Sequence, residues 1–238
     1  CKPGKGHMDN IAEKQSMICP VCGNMEYRIA YEGYIRDGIF GSKTNVPVKV
    51  LECIVCGLQR LENFFLGVSE YSANDYREKY FNTSEVDKLL ALDHPEQAER
   101  IKLIANDRHR DKVILDYGCG DGYFLDSVIG FMKKTYAIEP CRNMWDSLQS
   151  RGHHVFASGT DALRALRGKF DIVTCFGVIE HTEKPLEIVK DCFELLSSGG
   201  VLYLQTDNLH DILMSTGLRG FLSSFIGQHT IGILVRNA

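Results

Sequence analysis

The feature that most constrains the fold is a regular alternation of strand-like and helix-like segments that begins at Lys112. Apolar runs such as "KVILDYG", "KTYAIEP" and "FDIVTCFGV" alternate with amphipathic runs such as "CRNMWDSLQSRG" and "KPLEIVKDCFELLSSGG", and the connections are short. Helical crossovers of this kind join parallel strands and cover both faces of a sheet. Farther on, only "QH" separates the β-like runs "GFLSSFIG" and "TIGILVRN", so these two are expected to pair antiparallel. Residues 112–238 are therefore predicted to form a mostly parallel α/β sheet.

The residues before this alternation follow other patterns. Residues 8–68 are rich in β-branched and aromatic side chains broken by turn residues, and "RDG" is a hairpin signal, which predicts a small β-rich domain. Residues 69–111 are a lead-in segment that becomes helical from Ser84 to Asn106, with Pro95 expected to begin a second helix. The motif "GHM" is typical of a cloning remnant, so residues 1–7 are predicted to be part of a tag.

Charge and cysteine usage narrow the partners and the compartment. The net charge is −4 and no run of Lys or Arg occurs, which disfavours nucleic acid because its binders usually carry a basic face. No apolar stretch of about 18 residues is present, and "CKPGKGHMDN" lacks the apolar core of a signal peptide, so no membrane partner is expected. Five of the nine cysteines are scattered, which favours a reducing compartment, the cytoplasm.

A glycine-rich turn joins the first strand and helix of the α/β region. In "LDYGCGDG", Asp116 precedes Gly118, Gly120 and Gly122 in a G-x-G-x-G pattern. The dinucleotide fingerprint would need its third glycine at Tyr123, and no Gly-Lys-Ser/Thr follows that would make a phosphate-binding P-loop. A tight turn that uses glycine only for its positive φ is the structural alternative. Three alternating glycines after an acid favour a nucleotide-like ligand.

Two further acids follow the next strands. Glu139 ends "YAIEP", where a carboxylate can accept hydrogen bonds from both hydroxyls of an adenosine ribose. Asp161 lies in "SGTDAL", where it either accepts a hydrogen bond from an adenine amino group or serves as a helix N-cap.

The motifs "LDYGCGDG", "AIEP", "TDAL" and "FDIVTCFGVIEHTEKP" together resemble class I S-adenosylmethionine-dependent methyltransferases, over roughly residues 84–238. The resemblance implies a Rossmann-like, seven-stranded, mostly parallel sheet with a terminal antiparallel strand, and S-adenosylmethionine as cofactor. It also implies roles for individual residues. Those assigned to the methionine end are Asp116, Gly118, Cys119, Gly120 and Gly122; Glu139 is assigned to the ribose, and Pro140 beside it to the cofactor site; those assigned to the adenine are Asp161 and Ala162; and Phe176 is assigned to the neighbourhood of the sulfonium.

The candidate catalytic residues are His181, Tyr76 and Tyr80. His181 lies in "VIEHTEKP" just beyond the fourth strand, and an imidazole suits proton transfer from a hydroxyl acceptor near neutral pH. Its structural alternative is that the Glu-His pair orders a loop or caps the following helix. Tyr76 and Tyr80 belong to "EYSANDYREKYF", which in related enzymes folds over the cofactor. The alternative for these rings is packing between the two domains.

Cys19, Cys22, Cys53 and Cys56 form two C-x2-C pairs that are separated by 30 residues. Two such turns bring four thiolates into a tetrahedron, the geometry and ligand type that Zn²⁺ accepts, and four protein ligands make the zinc structural. The alternatives are a redox Cys-x-x-Cys pair or unrelated buried cysteines. A glycine after the second cysteine of each pair, in "CPVCG" and "CIVCG", favours zinc.

The stretch "CGLQRLENF" is similar to the zinc-binding N-terminal domain of bacterial methyltransferases that act on sugar nucleotides and natural products. The predicted function is therefore methyl transfer to a small hydroxylated or amino acceptor, such as a sugar nucleotide or glycan precursor. Three alternatives remain open: an RNA or protein methyltransferase whose zinc module binds the macromolecule, a non-catalytic cofactor-binding module, and an NAD oxidoreductase, which the glycine spacing disfavours. The sequence makes no prediction of oligomeric state.

Overall fold

The computed structural model describes residues 18–35, 43–62, 97–207 and 229–235, together with 85, 87 and 88. The chain divides into two compact units. One comprises residues 1–65 with the short stretch 183–186, and the other comprises residues 66–182 and 187–238.

The first unit contains a three-stranded antiparallel sheet. Its strands are β1 (Tyr27–Gly33), β2 (Val48–Cys53) and β3 (Gln59–Leu61), in that spatial order. The buried apolar side chains of its described residues are few: Cys19, Val48, Leu51 and Cys53. The described core is small and two of its four side chains are cysteines, so a bound metal would add stability that burial alone does not supply.

The second unit is an α/β sheet whose helices alternate with its strands. The strands are β4 (Val113–Tyr117), β5 (Lys134–Ile138), β6 (His154–Phe156), β7 (Phe170–Phe176), β8 (Leu196–Asp207) and β9 (His229–Val235). The helices are α1 (Gln97–Ile104), α2 (Tyr123–Val128), α3 (Trp145–Ser150), α4 (Gly159–Leu166) and α5 (Pro185–Leu195). Four 3₁₀ turns cover Asp107–His109, Ile129–Phe131, Arg142–Met144 and Ile179–His181.

The order of strands in this sheet is β6-β5-β4-β7-β8-β9. The first five are parallel and β9 runs antiparallel to β8, so the predicted α/β sheet with a terminal antiparallel strand is confirmed. The run "GFLSSFIG", which was expected to supply a further strand, lies outside the described residues, and the count of seven strands stays a prediction. The chain order reverses between β4 and β7, and ligands of open α/β sheets bind at the carboxyl ends of strands at such a point.

The buried strands are apolar on both faces because helices cover both. Successive residues of a strand point to opposite faces, so Leu115 and Val173 lie in one core cluster, whereas Ile114 and Ile172 lie in the other. This explains why β4 and β7 read as continuous apolar runs without alternation.

One boundary differs from the sequence pattern. The pattern places the start of the strand at Val201, but β8 begins directly after α5, at Leu196. Phe170 of β7 pairs with Leu196 and Ile172 pairs with Val201, so two steps along β7 face five along β8. The extra residues form a bulge, in which Gly199 adopts a φ of 76°.

Candidate active site

The predicted cofactor residues meet at the carboxyl edge of β4, β5 and β7. Asp116 lies near the end of β4, Glu139 directly follows β5, and Phe176 ends β7. Residues 118–122, the glycine loop, connect β4 with α2 across this edge. The motifs are distant from one another in the sequence, but the fold places their residues at one edge of the sheet.

The three glycines of the loop are required for different reasons. All have a positive φ: 79° at Gly118, 61° at Gly120 and 85° at Gly122. A Cβ on Gly118 would lie 2.6 Å from Cγ2 of Val178, and one on Gly122 would lie 2.4 Å from Cδ2 of Leu148. A Cβ on Gly120 would meet nothing within 4 Å. The protein's own packing therefore excludes side chains at two positions, and only at Gly120 does the loop border open space.

Glu139 is buried and braces the loop. Its Oε2 accepts a hydrogen bond from the backbone N–H of Gly120 at 3.0 Å, and its Oε1 accepts one from the N–H of Cys141 at 2.8 Å. The indole Nε1 of Trp145 donates to its backbone carbonyl at 2.9 Å. Each carboxylate oxygen has a second lone pair, so the side chain can brace the loop and still accept from a ligand diol.

Asp116 is a buried carboxyl, 4% exposed. Burial raises its pKa to about 6, although the hydrogen bond from Oγ1 of Thr174, at 2.7 Å, and the charge of Arg100 both act to lower it. Burial disfavours the ionised form, and a ligand cation beside the carboxylate would restore it. The site is therefore suited to bind a positively charged group.

The affinity for S-adenosylmethionine is predicted to fall when the pH drops below about 6. The expectation is that Asp116 holds a cationic group of the cofactor; binding then favours its ionised form and releases the proton, so the dissociation constant rises by up to about tenfold per pH unit below the pKa. In the cofactor-free chain the sign is opposite: the raised pKa makes folding less favourable as the pH rises from the ordinary value of 3.8 to about 6.

Calorimetric titration with the cofactor from pH 5 to pH 8 tests this coupling, because this range spans the pKa of about 6. The control is Asp116→Asn, which should bind more weakly and lose the pH dependence. An affinity for the wild-type chain that stays constant across this range would contradict the coupling.

Arg100 is a site residue that the sequence did not single out. Its Nε donates to Oε1 of Gln205 at 2.6 Å, and its guanidinium lies 4.9 Å from the ring centroid of Phe176. Its positive charge acts to lower the pKa of Asp116. Arg100 belongs to α1 and Gln205 to β8, so the pair is formed only in the folded sheet; an arginine in a helical pattern gives no local signal of this role.

The predicted adenine residues lie at the start of α4. Ser158 is the N-cap: its Oγ accepts from the N–H of Asp161 at 3.2 Å and donates to Oδ2 of Asp161 at 2.7 Å. The alternative interpretation of Asp161 as the N-cap is therefore wrong; Ser158 is the N-cap, and Asp161 is the third residue of the first turn. Ala162 is fully buried, and Pro140 is half-buried between Glu139 and Cys141.

The half-buried Cys119 contributes to the loop's packing, together with Met144 and Leu148. Its Sγ lies 3.7 Å from the carbonyl of Gly120.

His181 ends the 3₁₀ turn that follows β7. Its side chain is exposed, and its backbone N–H donates to the carbonyl of Val178 at 3.0 Å. Glu180 turns inward instead, since its charge contributes to raising the pKa of the buried thiol of Cys175, after the larger effects of Cys192 and of burial. The other two catalytic candidates, Tyr76 and Tyr80, lie outside the described residues.

The four cysteines of the first unit lie close enough together to ligate one metal ion. Their Sγ atoms all lie within 4.8 Å of one another. Zn–S bonds of about 2.3 Å in a tetrahedron place the sulfurs about 3.8 Å apart, so the cluster fits the ion. The shortest pairs join Cys19 to Cys56 at 3.6 Å and Cys22 to Cys53 at 3.5 Å. These pairs connect different C-x2-C turns, which disfavours a redox pair within either turn.

The two turns, 19–22 and 53–56, have the same backbone geometry. The N–H of Gly23 donates to the carbonyl of Cys19, and the N–H of Gly57 donates to that of Cys53, both at 2.9 Å. The two glycines have φ values of 75° and 74°. Backbone N–H groups of Cys56 and Val55 lower the pKa of Cys53 to about 6, against the opposing effect of burial. Such amide donors favour the thiolate that a metal requires.

The sequence pattern of the family described as "Methyltransferase domain" matches residues 85–229, which is more than half of the 238-residue chain. The chain belongs to the methyltransferase domain family. This match confirms the predicted resemblance to class I S-adenosylmethionine-dependent methyltransferases.

Individual relatives match this chain over only part of its length. It is 36% identical over 110 residues to a ubiquinone biosynthesis O-methyltransferase of Psychrobacter cryohalolentis, covering 41% of each chain. A tRNA U34 carboxymethyltransferase of Campylobacter curvus is 30% identical over 104 residues, or 40% of this chain and 34% of the relative. An N-methyltransferase from Bradyrhizobium japonicum, solved with S-adenosyl-L-homocysteine, has a TM-score of 0.42 at 18% identity and covers 55% of this chain and 74% of its own. The chain thus spans less than half of the length of these two sequence relatives.

Within the part of the chain that the structure describes, no helix combines the length and the hydropathy needed to cross a bilayer.

Proposed function

We propose that this chain transfers a methyl group from S-adenosylmethionine to a small hydroxylated or amino acceptor, such as a sugar nucleotide, a glycan precursor or a related metabolite. The observation that carries the proposal is the open space beside Gly120, whose N–H the buried Glu139 holds, together with the buried Asp116, on which the positive charge of Arg100 acts. These charges complement the ammonium, ribose diol and carboxylate of the cofactor.

The residues of this chain supply binding and alignment. Glu139 would hold the ribose, Asp116 the ammonium and Arg100 the carboxylate, with Phe176 beside the reacting centre. When bound, S-adenosylmethionine would supply a methyl group on a sulfonium; the methyl carbon would pass in line to an acceptor oxygen or nitrogen as its bond to sulfur breaks, and the sulfur would leave as a neutral thioether. Alignment in a dry site accounts for up to about 7–11 kcal/mol of barrier reduction in well-oriented systems. His181, exposed after β7, is proposed to take the acceptor's proton.

The comparisons favour an oxygen acceptor and leave a second candidate. An O-methyltransferase is among the relatives, which supports a hydroxyl acceptor. The alternative is an RNA methyltransferase, for which the tRNA-modifying relative speaks. The net charge of −4 favours the small acceptor. We also propose the cytoplasm as its compartment, because five of the nine cysteines are scattered along the sequence, which favours a reducing environment.

A screen for release of the demethylated cofactor tests the proposal. The panel contains sugar nucleotides, small phenols, amines and unmodified tRNA, each with and without the chain. Turnover with a small hydroxylated or amino compound supports the proposal. Turnover with tRNA alone favours the alternative, and absence of cofactor binding by calorimetry overturns both.

Replacement of His181 by alanine is predicted to lower kcat by about a hundredfold for a hydroxyl acceptor, the lower end of the usual effect of a general base. Cofactor affinity should stay unchanged, because the exposed side chain of His181 is proposed to act on the acceptor's proton and not to hold the cofactor. The measurement is the pH–rate profile, which should lose its acid limb in the variant.

The matched control is His154→Ala, which removes another exposed histidine, on the edge strand β6. If His181→Ala keeps its kcat and its pH profile, the histidine orders the turn after β7 and is not the base.

A further inference from the structure

A continuous polar network lies beside the glycine loop, outside the residues assigned to the cofactor. It consists of Asp126 of α2, Thr135 of β5, and Arg151 and His153, which lie between α3 and β6. We refer to it as the Asp126 network. Oδ1 of Asp126 lies 2.8 Å from Nε2 of His153, and Nδ1 of His153 lies 2.8 Å from Oγ1 of Thr135. The guanidinium of Arg151 donates from Nη1 to Oδ2 of Asp126 and from Nη2 to the backbone carbonyl of Asp121. A chain of hydrogen bonds therefore runs from Thr135 through His153 and Asp126 to Arg151, which bonds one carbonyl of the loop.

The network is built for one protonation state. His153 and Thr135 are 3% and 2% exposed. Burial lowers the pKa of His153, an effect that Arg151 and His154 reinforce and Asp126 opposes. In the neutral imidazole the hydrogen-bond pattern assigns the proton to Nε2, which donates to Asp126, while Nδ1 accepts from the hydroxyl of Thr135. Every polar atom of this buried imidazole then has a partner, so the ring is fixed in place.

Arg151 supports the part of the glycine loop that β5 does not hold. The N–H groups of Gly118 and Cys119 donate to the carbonyl of Ile138, and the N–H of Gly120 donates to Glu139. Those contacts anchor the first half of the loop on β5. The second half is held by Arg151, which bonds the Asp121 carbonyl and packs so closely on Gly122 that a Cβ there would lie 3.3 Å from Nη2.

The geometry points to a positioning role for Arg151: we infer that the arginine, oriented by Asp126 and His153, sets the conformation of the glycine loop that binds the cofactor. A planar guanidinium can bond a carboxylate and a carbonyl at once, which makes it suited to join a helix to a loop. The inference rests on the proposed function for the identity of the ligand, while the loop contact itself is independent of it. Asp121 adjoins Gly120, the residue that borders the open space, so a shift of one carbonyl displaces the N–H that Glu139 holds.

The first test compares Arg151→Ala and Arg151→Lys with the wild-type chain. The alanine variant should bind S-adenosyl-L-homocysteine about tenfold more weakly in calorimetry, because a charge-assisted contact to the loop is lost. The lysine variant keeps the charge but not the fork and should fall between the two. The control is Arg167→Ala, which removes an exposed arginine that pairs with Glu194 and should leave the affinity unchanged.

The second test separates the two contacts of His153. In His153→Gln the amide nitrogen takes the place of Nε2 and keeps the donor to Asp126; in His153→Asn it takes the place of Nδ1 and loses that donor. Both variants are neutral and similar in size. We expect the glutamine variant to bind the cofactor like the wild type and the asparagine variant to resemble Arg151→Ala.

Hydrogen exchange of the loop amides in the cofactor-free chain gives a readout that needs no ligand. The amide of Gly120 should exchange faster in Arg151→Ala and His153→Asn, while those of β7 stay protected. Unchanged exchange and affinity in both variants would overturn the positioning role. If the amide of Gly120 already exchanges as fast in the wild-type chain as in the variants, Arg151 does not hold the loop. If exchange is faster only in the variants and none of the chains binds the cofactor, the positioning role is upheld and the proposed function is rejected.

Discussion

Glu139→Ala is expected to weaken S-adenosylmethionine binding by at least about a hundredfold, which corresponds to about 3 kcal/mol from two lost hydrogen bonds to a charged group. Two effects combine. The variant removes the carboxylate proposed to hold the ribose, and it frees the N–H groups of Gly120 and Cys141 that the same carboxylate braces. The sheet should still fold, because β5 pairs with both β4 and β6 through its backbone. Calorimetry gives the affinity, and circular dichroism monitors the fold.

Two further variants separate the bracing role of Glu139 from its ligand contact. Glu139→Gln keeps one acceptor oxygen but turns the other into a donor facing an N–H, so it should fall between wild type and alanine in affinity. Glu194→Ala removes a carboxylate that pairs with Arg167 on the surface and serves as the control. Undiminished affinity in Glu139→Ala would remove the ribose assignment and the bracing role together.

The sheet was predictable because burial is recorded in local patterns. β7 is buried along nearly its whole length and reads as an unbroken apolar run, and Gly152 follows α3 as the pattern indicates. The start of β8 was not predictable, because the bulge at Gly199 depends on how β7 lies beside it. Patterns of apolar residues give the strands, while pairing with a neighbour sets where they begin.

The residues of the candidate site were predictable from the sequence, but the contacts that each of them makes were not. Asp116 lies near the end of one strand, Glu139 and the glycines follow strand ends, and the strand ends of a parallel sheet meet at one edge. A side chain at Gly118 would clash with Val178, and one at Gly122 would clash with Leu148, so the protein's own packing and not a ligand requires these two glycines. The two contacting residues lie 60 and 26 residues away in the sequence. The same holds for Arg100, whose partner Gln205 is 105 residues distant. Contacts over such separations leave no trace in a local window.

Removal of metal is expected to unfold the three-stranded sheet of residues 18–62. The purified chain should contain about one zinc, since four thiolates complete one tetrahedral site. Structural zinc contributes roughly 10–16 kcal/mol to small domains of this type. The described core of this unit holds only four buried apolar side chains, two of which are the ligands Cys19 and Cys53. A strong chelator should therefore abolish the hydrogen-exchange protection of β1, β2 and β3, while β4 and β7 keep theirs because the second unit has its own core.

The zinc assignment is separable from its alternatives by two substitutions and one mass measurement. Cys53→Ser should bring the zinc content close to zero, whereas Cys192→Ala, which alters a buried cysteine outside the cluster, should leave it unchanged. A redox pair would instead show the loss of two hydrogens in the intact mass of the oxidised chain and would link Cys19 to Cys22, although the shortest sulfur contacts join the two turns to each other. A native chain that contains no metal and whose four thiols react freely would refute the zinc site. The small core would then have to be stabilised by another partner, because burial of so few side chains does not offset the conformational entropy of ordering three strands.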